Sequence, residues 1–139
     1  MKLNNTWLSA AVKALDAVNI VNDGEYDKEF KGYISSFGAS IIQSGLLAAV
    51  MFFENNSKSE ANRALVIKAI AHILTNVHEG RRHEGYKYNL SSKFSDYLIN
   101  NQSDIKNITL DVSNAATCLK LALRMFKEKG NLKKNKDEE

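Results

Sequence analysis

Proline is missing from all 139 residues, where ordinary usage of about 5% would place roughly seven. With no ring to fix φ and no lost N–H donor, helices in this chain can run long. Cysteine occurs once, at Cys118, which excludes an internal disulfide and fits a reducing, cytoplasmic setting. The motifs of common chemistry are missing too. There is no glycine-rich phosphate loop, no Gly-x-Ser-x-Gly and no close carboxylate pair in an apolar context. The expectation is a protein that is not an enzyme, holds no metal and needs no cofactor. Asn and Lys interrupt the apolar residues of Met1–Leu15, so a secretory signal is not expected there. Strand alternation of useful length, internal repeats and a second domain are also lacking.

What is present is helical periodicity and an uneven charge. The chain carries a formal +3, but the two parts differ in sign. Residues 1–56 hold more acids than bases, and residues 57–139 more bases than acids, which points to two differently used surfaces. Five to six helices can be read. One spans about 5–20, with Leu8, Ala11, Val12, Leu15 and Val18 on one stripe. "NDGEY" (22–26) reads as a turn, and a second helix as 27–44. The run Gly32–Phe53 has no charge and is long enough to cross a bilayer. Its serines, Gln43 and the Ser44–Gly45 break instead predict two core helices meeting at a corner, the second apolar nearly all round and central. Ser57 and Glu60 match a capping box ahead of a helix over 59–76. A loop over 76–89, a short helix over 92–100 and a last helix over 109–129, stopped by Gly130, complete the chain. The expected fold class is all-α: a single compact bundle over 1–130 with a flexible charged tail at 131–139.

Candidate site residues follow from this layout. "HEGRRHE" suggests a metal helix, yet His78 and His83 are five residues apart, about 140° around a helix. The segment reads better as a solvated polar loop, or as a phosphate-contacting one in which Arg81 and Arg82 stand near Tyr86 and Tyr88. His72 and Cys118 read as buried structural residues. On the last helix Lys120, Arg124 and Lys127 fall at i, i+4 and i+7 beside the core stripe, continued by Ser113 and Thr117. This basic ridge reads either as an ordinary solvated face or as a phosphate-contacting one. Leu121 and Met125, four apart and off the core stripe, are candidates for subunit contact.

The Tyr-containing helix "YISSFGASIIQSGLLAAVMFF" and the closing "AATCLKLALRMFKEKG" resemble the small all-helical subunit of the Cmr (type III-B) CRISPR interference complex. Tyr33, Ser44-Gly45-Leu46 and Ala49–Phe53 stand where that family has its Tyr, its Asn-Gly-Leu-like break and its Ala/Phe-rich helix. Leu119, Leu121, Leu123, Arg124 and Phe126 correspond to its final helix. This chain departs in having no proline and in carrying Ser44 in place of the Asn. The small subunit of the related Csm (type III-A) complex is an open alternative, as is a helical protein–protein adaptor with no nucleic-acid role. The resemblance implies a non-catalytic subunit for antiviral defence. Its copies stack along a ribonucleoprotein complex beside other subunits and contact target RNA paired with the guide, with no membrane involved; the residues this implies for RNA contact are Lys120, Arg124 and Lys127, then Arg81 and Arg82, with Lys31 and Lys68 as further cations.

Overall fold

The computed structural model describes residues 4–55, 61–84 and 93–129. Asn4 opens the first helix, α1 (Asn5–Ala17): its side-chain oxygen accepts the backbone N–H groups of Thr6 (2.7 Å) and Trp7 (3.3 Å). After Ala17 the chain turns through Asn19, at φ 65°, and enters a small hairpin of β1 (Val21–Asn22) and β2 (Glu25–Tyr26). Asp23 (φ 54°) and Gly24 (φ 76°) both take the positive φ that a two-residue hairpin turn requires.

The uncharged run is split as expected. Helix α2 (Glu29–Ser44) ends at Gly45, and α3 (Leu46–Phe53) begins on its other side. Gly45 sits at φ 87°, ψ 163°, a region open almost only to glycine, so the corner is written into the sequence. No described helix is long and apolar enough to cross a membrane. Helix α3 is less central than expected. Ala49, Val50 and Phe53 are buried, but Met51 and Phe52 are more than half exposed, and the Arg63 guanidinium lies 4.2 Å from the centre of the Phe52 ring.

Helix α4 (Ala61–Asn76) is the axis of the bundle. Val66, Ile67, Ala69, Ile70, Ala71, Ile73 and Leu74 are buried, and α1, α2, α3 and α6 all pack on it. An apolar surface nearly all round needs neighbours nearly all round, which explains both its place and its weak amphipathicity. The expected capping box at Ser57 and Glu60 and the charged tail at 131–139 lie outside the described residues.

Helix α5 (Phe94–Asn100) has no side-chain cap of its own. The Glu54 carboxylate, at the end of α3, accepts the Phe94 N–H at 2.7 Å and takes that place. Helix α6 (Ile105–Leu123) packs along α1, α2 and α4 through Ile108, Val112, Ala115, Leu119 and Ala122. It begins and ends earlier than the periodicity predicts. Beyond Leu123 the N–H groups of Arg124, Met125 and Phe126 bond the carbonyls of Leu121, Ala122 and Leu123, tightening the last turn. The chain then pairs as β3 (Lys127–Glu128), parallel to β2, with Lys127 N–H bonded to Gly24 O (3.0 Å) and Lys129 N–H to Tyr26 O (2.9 Å). Among the described residues the fold is thus a bundle of six α-helices with a three-stranded tie, order β1-β2-β3, that the sequence reading did not include. Two-residue strands carry no alternation to read, and a tertiary pairing here overrides helical periodicity.

Candidate nucleic-acid interface

Helices α2 and α6 lie side by side and leave a furrow between them. Its floor is made of small residues, Gly38 and Ala39 from α2 and Ala116 from α6, which keep the helices' outer surfaces low. Ser35, Ser113 and Thr117 add hydroxyls along it, and Ile42, almost fully exposed, stands on its rim. At one end the furrow deepens into a pocket of about 110 Å³ lined by Tyr26, Lys31, Ile34, Lys120, Leu123 and Arg124. Beyond Lys31 it opens into a broader depression of about 1030 Å³ around the start of α2, where Asp27, Glu29 and Glu128 mix with Lys28 and Lys129.

The structure therefore brings together three of the seven predicted cations: Lys31 from the first turn of α2, Lys120 from the last turn of α6 and Arg124 from its cap. All three are exposed, and none makes an ion pair among the described residues. Lys127 does not extend the ridge as predicted, because the helix has ended and Lys127 belongs to β3, where it is exposed. Thr117 is less available than expected, since its hydroxyl donates to the Ser113 carbonyl at 3.0 Å. Lys68 is exposed on α4 and does not line this pocket.

Arg81 and Arg82 are placed elsewhere. Their segment is anchored by Asp111 of α6, a buried carboxylate that accepts the backbone N–H groups of Arg82 (2.9 Å and 3.0 Å) and His83 (2.8 Å). Asp111 and Lys120 are nine residues apart, about 180° around α6, so the two basic groups flank opposite sides of that helix. Arg81 is half-buried and donates through Nη1 to the Leu74 carbonyl at 2.6 Å, a structural contact at the end of α4. Arg82 has an exposed side chain. The expectation of a solvated loop fails at His83. It is buried, bonds the Tyr97 hydroxyl through Nε2, and has Nδ1 3.5 Å from the Asp104 carboxylate. Burial, and then the negative charge of Asp104, raise the Tyr97 pKa. Among the described residues no three His, Cys, Asp or Glu side chains are grouped to hold a metal.

Sequence reasoning missed Asp111, Tyr26 and Glu54. A lone Asp on an apolar stripe was the available signal for the first, because a buried carboxylate must find donors. Asp-Gly between short runs was the signal for the hairpin that sets Tyr26 in the pocket wall. His72 is half-buried, with its ring and carbonyl both facing the Asn76 amide (3.4 Å and 2.8 Å). Cys118 is fully buried, and burial pushes its thiol up to about 11. Leu121 is half-buried, while Met125 is largely exposed, at 71%.

A helical bundle with a basic face is what the resemblance implies, and the comparison with protein families identifies the family. The CRISPR-associated protein family Cas_Cmr5 matches residues 7–108, well over half of the chain. The chain belongs to the Cas_Cmr5 family. As a Cas_Cmr5 protein it is a small subunit of a Cmr-type (type III-B) CRISPR complex, with the other subunits of that complex as partners. The match ends in the first turn of α6, so Lys120, Arg124 and Lys127 lie beyond it, and the furrow is argued from this chain's own geometry. No curated protein and no solved structure matches the chain.

Proposed function

We propose that this Cas_Cmr5 protein is a non-catalytic small subunit of a cytoplasmic type III-B effector complex. It stacks with copies of itself and contacts the target RNA backbone through the α2–α6 furrow, in the service of antiviral defence. The observation that carries this reading is the convergence of Lys31, Lys120 and Arg124 on one pocket with no ion-pair partner among the described residues. Three like charges held together raise one another's energy, and an anion relieves that cost. Hydroxyls along the furrow are of the kind that bond phosphate oxygens. Binding of this kind reads backbone charge and not base identity, which suits a subunit whose guide RNA supplies the sequence. Lys127, exposed on β3, adds a further cation nearby, and Arg82 offers a separate contact on the other side of α6. Exposed Met51, Phe52 and Ile99 on α3 and α5, together with Met125, are the surfaces assigned to neighbouring subunits.

The test is fluorescence anisotropy with single-stranded RNAs of unrelated sequence, on the isolated chain and on the assembled complex. The expected result is similar affinity for every sequence, and a loss of roughly tenfold or more when Lys31, Lys120 and Arg124 are all changed to Ala. Unchanged affinity in the triple variant would remove the furrow from the interface and favour the adaptor reading.

A further inference from the structure

We propose that the pocket lined by Tyr26, Lys31, Lys120 and Arg124 is a discrete seat for one phosphate group. The inference rests on the reading of the furrow as an RNA interface and names the chemical unit that its deepest point receives. The volume sets the scale. At about 110 Å³ the pocket has room for about three or four waters, which suits one tetrahedral oxyanion and is below the several hundred Å³ of a nucleoside-sized site.

One of the charges around it runs against the local fold. Lys31 is in the first turn of α2, where the helix dipole already presents its positive end and a cation costs stability. Among the described residues neither nearby acid forms an ion pair with it. Glu29 accepts the Asn62 amide at 2.7 Å and the Tyr33 hydroxyl at 3.3 Å, and Asp27 pairs with Lys129 at 4.0 Å. Lys120 and Arg124 complement the negative C-terminal end of α6 but are not its caps, because the carbonyls of Leu121, Ala122 and Leu123 already accept the N–H groups of residues 124–126. Glu128 lines the neighbouring depression, close enough for its charge to be felt at Tyr26. Tyr26, nine-tenths buried, forms the fourth wall. Burial, and then Glu128, hold its pKa above the ordinary phenol value, so it brings no negative charge near neutral pH. The pocket is thus a small cup in which Lys31, from the first turn of α2, meets Lys120 and Arg124, from the end of α6, over a partly apolar lining of Ile34, Leu123 and Tyr26.

The phosphate can come from an RNA backbone or from free phosphate, and one titration separates them. The folded chain is titrated with inorganic phosphate against chloride at constant ionic strength, followed by melting temperature and by the ³¹P signal. Saturable binding is expected. Lys31→Gln and Arg124→Gln should each weaken it about tenfold, the loss of one charge-assisted contact. Lys106→Gln, eighteen residues before Arg124 and about 27 Å away along α6, should leave it unchanged. An RNA without terminal phosphates is then added. Displacement of phosphate by RNA assigns the seat to the backbone. Saturable phosphate binding that RNA does not displace keeps the seat but removes the RNA reading. RNA binding that depends on the three cations, with no saturable phosphate binding, overturns the seat and leaves the interface standing. An equal response of all three variants overturns the seat outright.

Discussion

Asp111 shows how much one side chain can decide. A carboxylate 4% exposed on an otherwise apolar face of α6 is costly unless it is satisfied, and here it accepts N–H groups from two consecutive residues. Asp111→Ala leaves those donors buried without a partner. Chemical denaturation should show a loss of about 3 kcal/mol, the range for hydrogen bonds to a charged group. Cys118 makes the opposite kind of prediction. Burial raises its folded-state pKa to about 11, so the native protein should resist a thiol reagent at pH 8 and react once unfolded. The raised pKa means the folded state holds its proton longer. The stability it contributes is therefore full below the ordinary thiol value of 9.0 and lost as pH rises through about 11. A stability profile that climbed over this window would contradict the assignment. Neither partner set was legible in the sequence: Asp111 could be seen as anomalous, but its donors lie 28 and 29 residues away.

At the scale of elements, Gly45 is the position to change. Its φ of 87° and ψ of 163° are closed to alanine, so Gly45→Ala should destabilise the fold by roughly 1–3 kcal/mol. Gly32→Ala is the control within the same uncharged run. Gly32 is helical, and an added Cβ meets nothing within 4 Å, so it should stabilise by about 0.5–1 kcal/mol. Urea unfolding of both variants checks the pair, and equal effects would deny that the corner is where the run divides. This corner was legible because Gly, Ser and Gln interrupt an apolar run, and α4 was legible because its apolar residues leave so little polar surface. The end of α6 was not. Arg124 to Lys129 keep helical spacing and have no breaker before Gly130, and only the hairpin built from residues 21–26 makes a strand the better solution. That misreading moved Lys127 off the ridge. It did not move Lys120 or Arg124.

The whole molecule divides its surface by use. The bundle around α4 fixes α2 and α6 side by side, and the β tie holds the chain beyond α6 beside the start of α2, so cations distant in sequence meet at one end of the furrow. Helical periodicity alone placed Lys120 and Arg124 on one flank. Lys31 joined them only through the packing of α2 on α6, which no single-helix reading contains. The opposite flank of α6 carries the anchored Arg82 segment, and α3 and α5 leave apolar side chains outward. The central claim is that the furrow binds RNA by phosphate charge, and the salt dependence of RNA binding by the reconstituted complex tests it most directly. Each phosphate contact to a single strand adds about 0.7 to the slope of log affinity against log salt. With Lys31, Lys120 and Arg124 changed to Gln in this subunit, the slope should fall by about 0.7 for each copy engaged, one phosphate per seat, with unfolding unchanged. A slope equal to that of the unaltered complex would contradict the account.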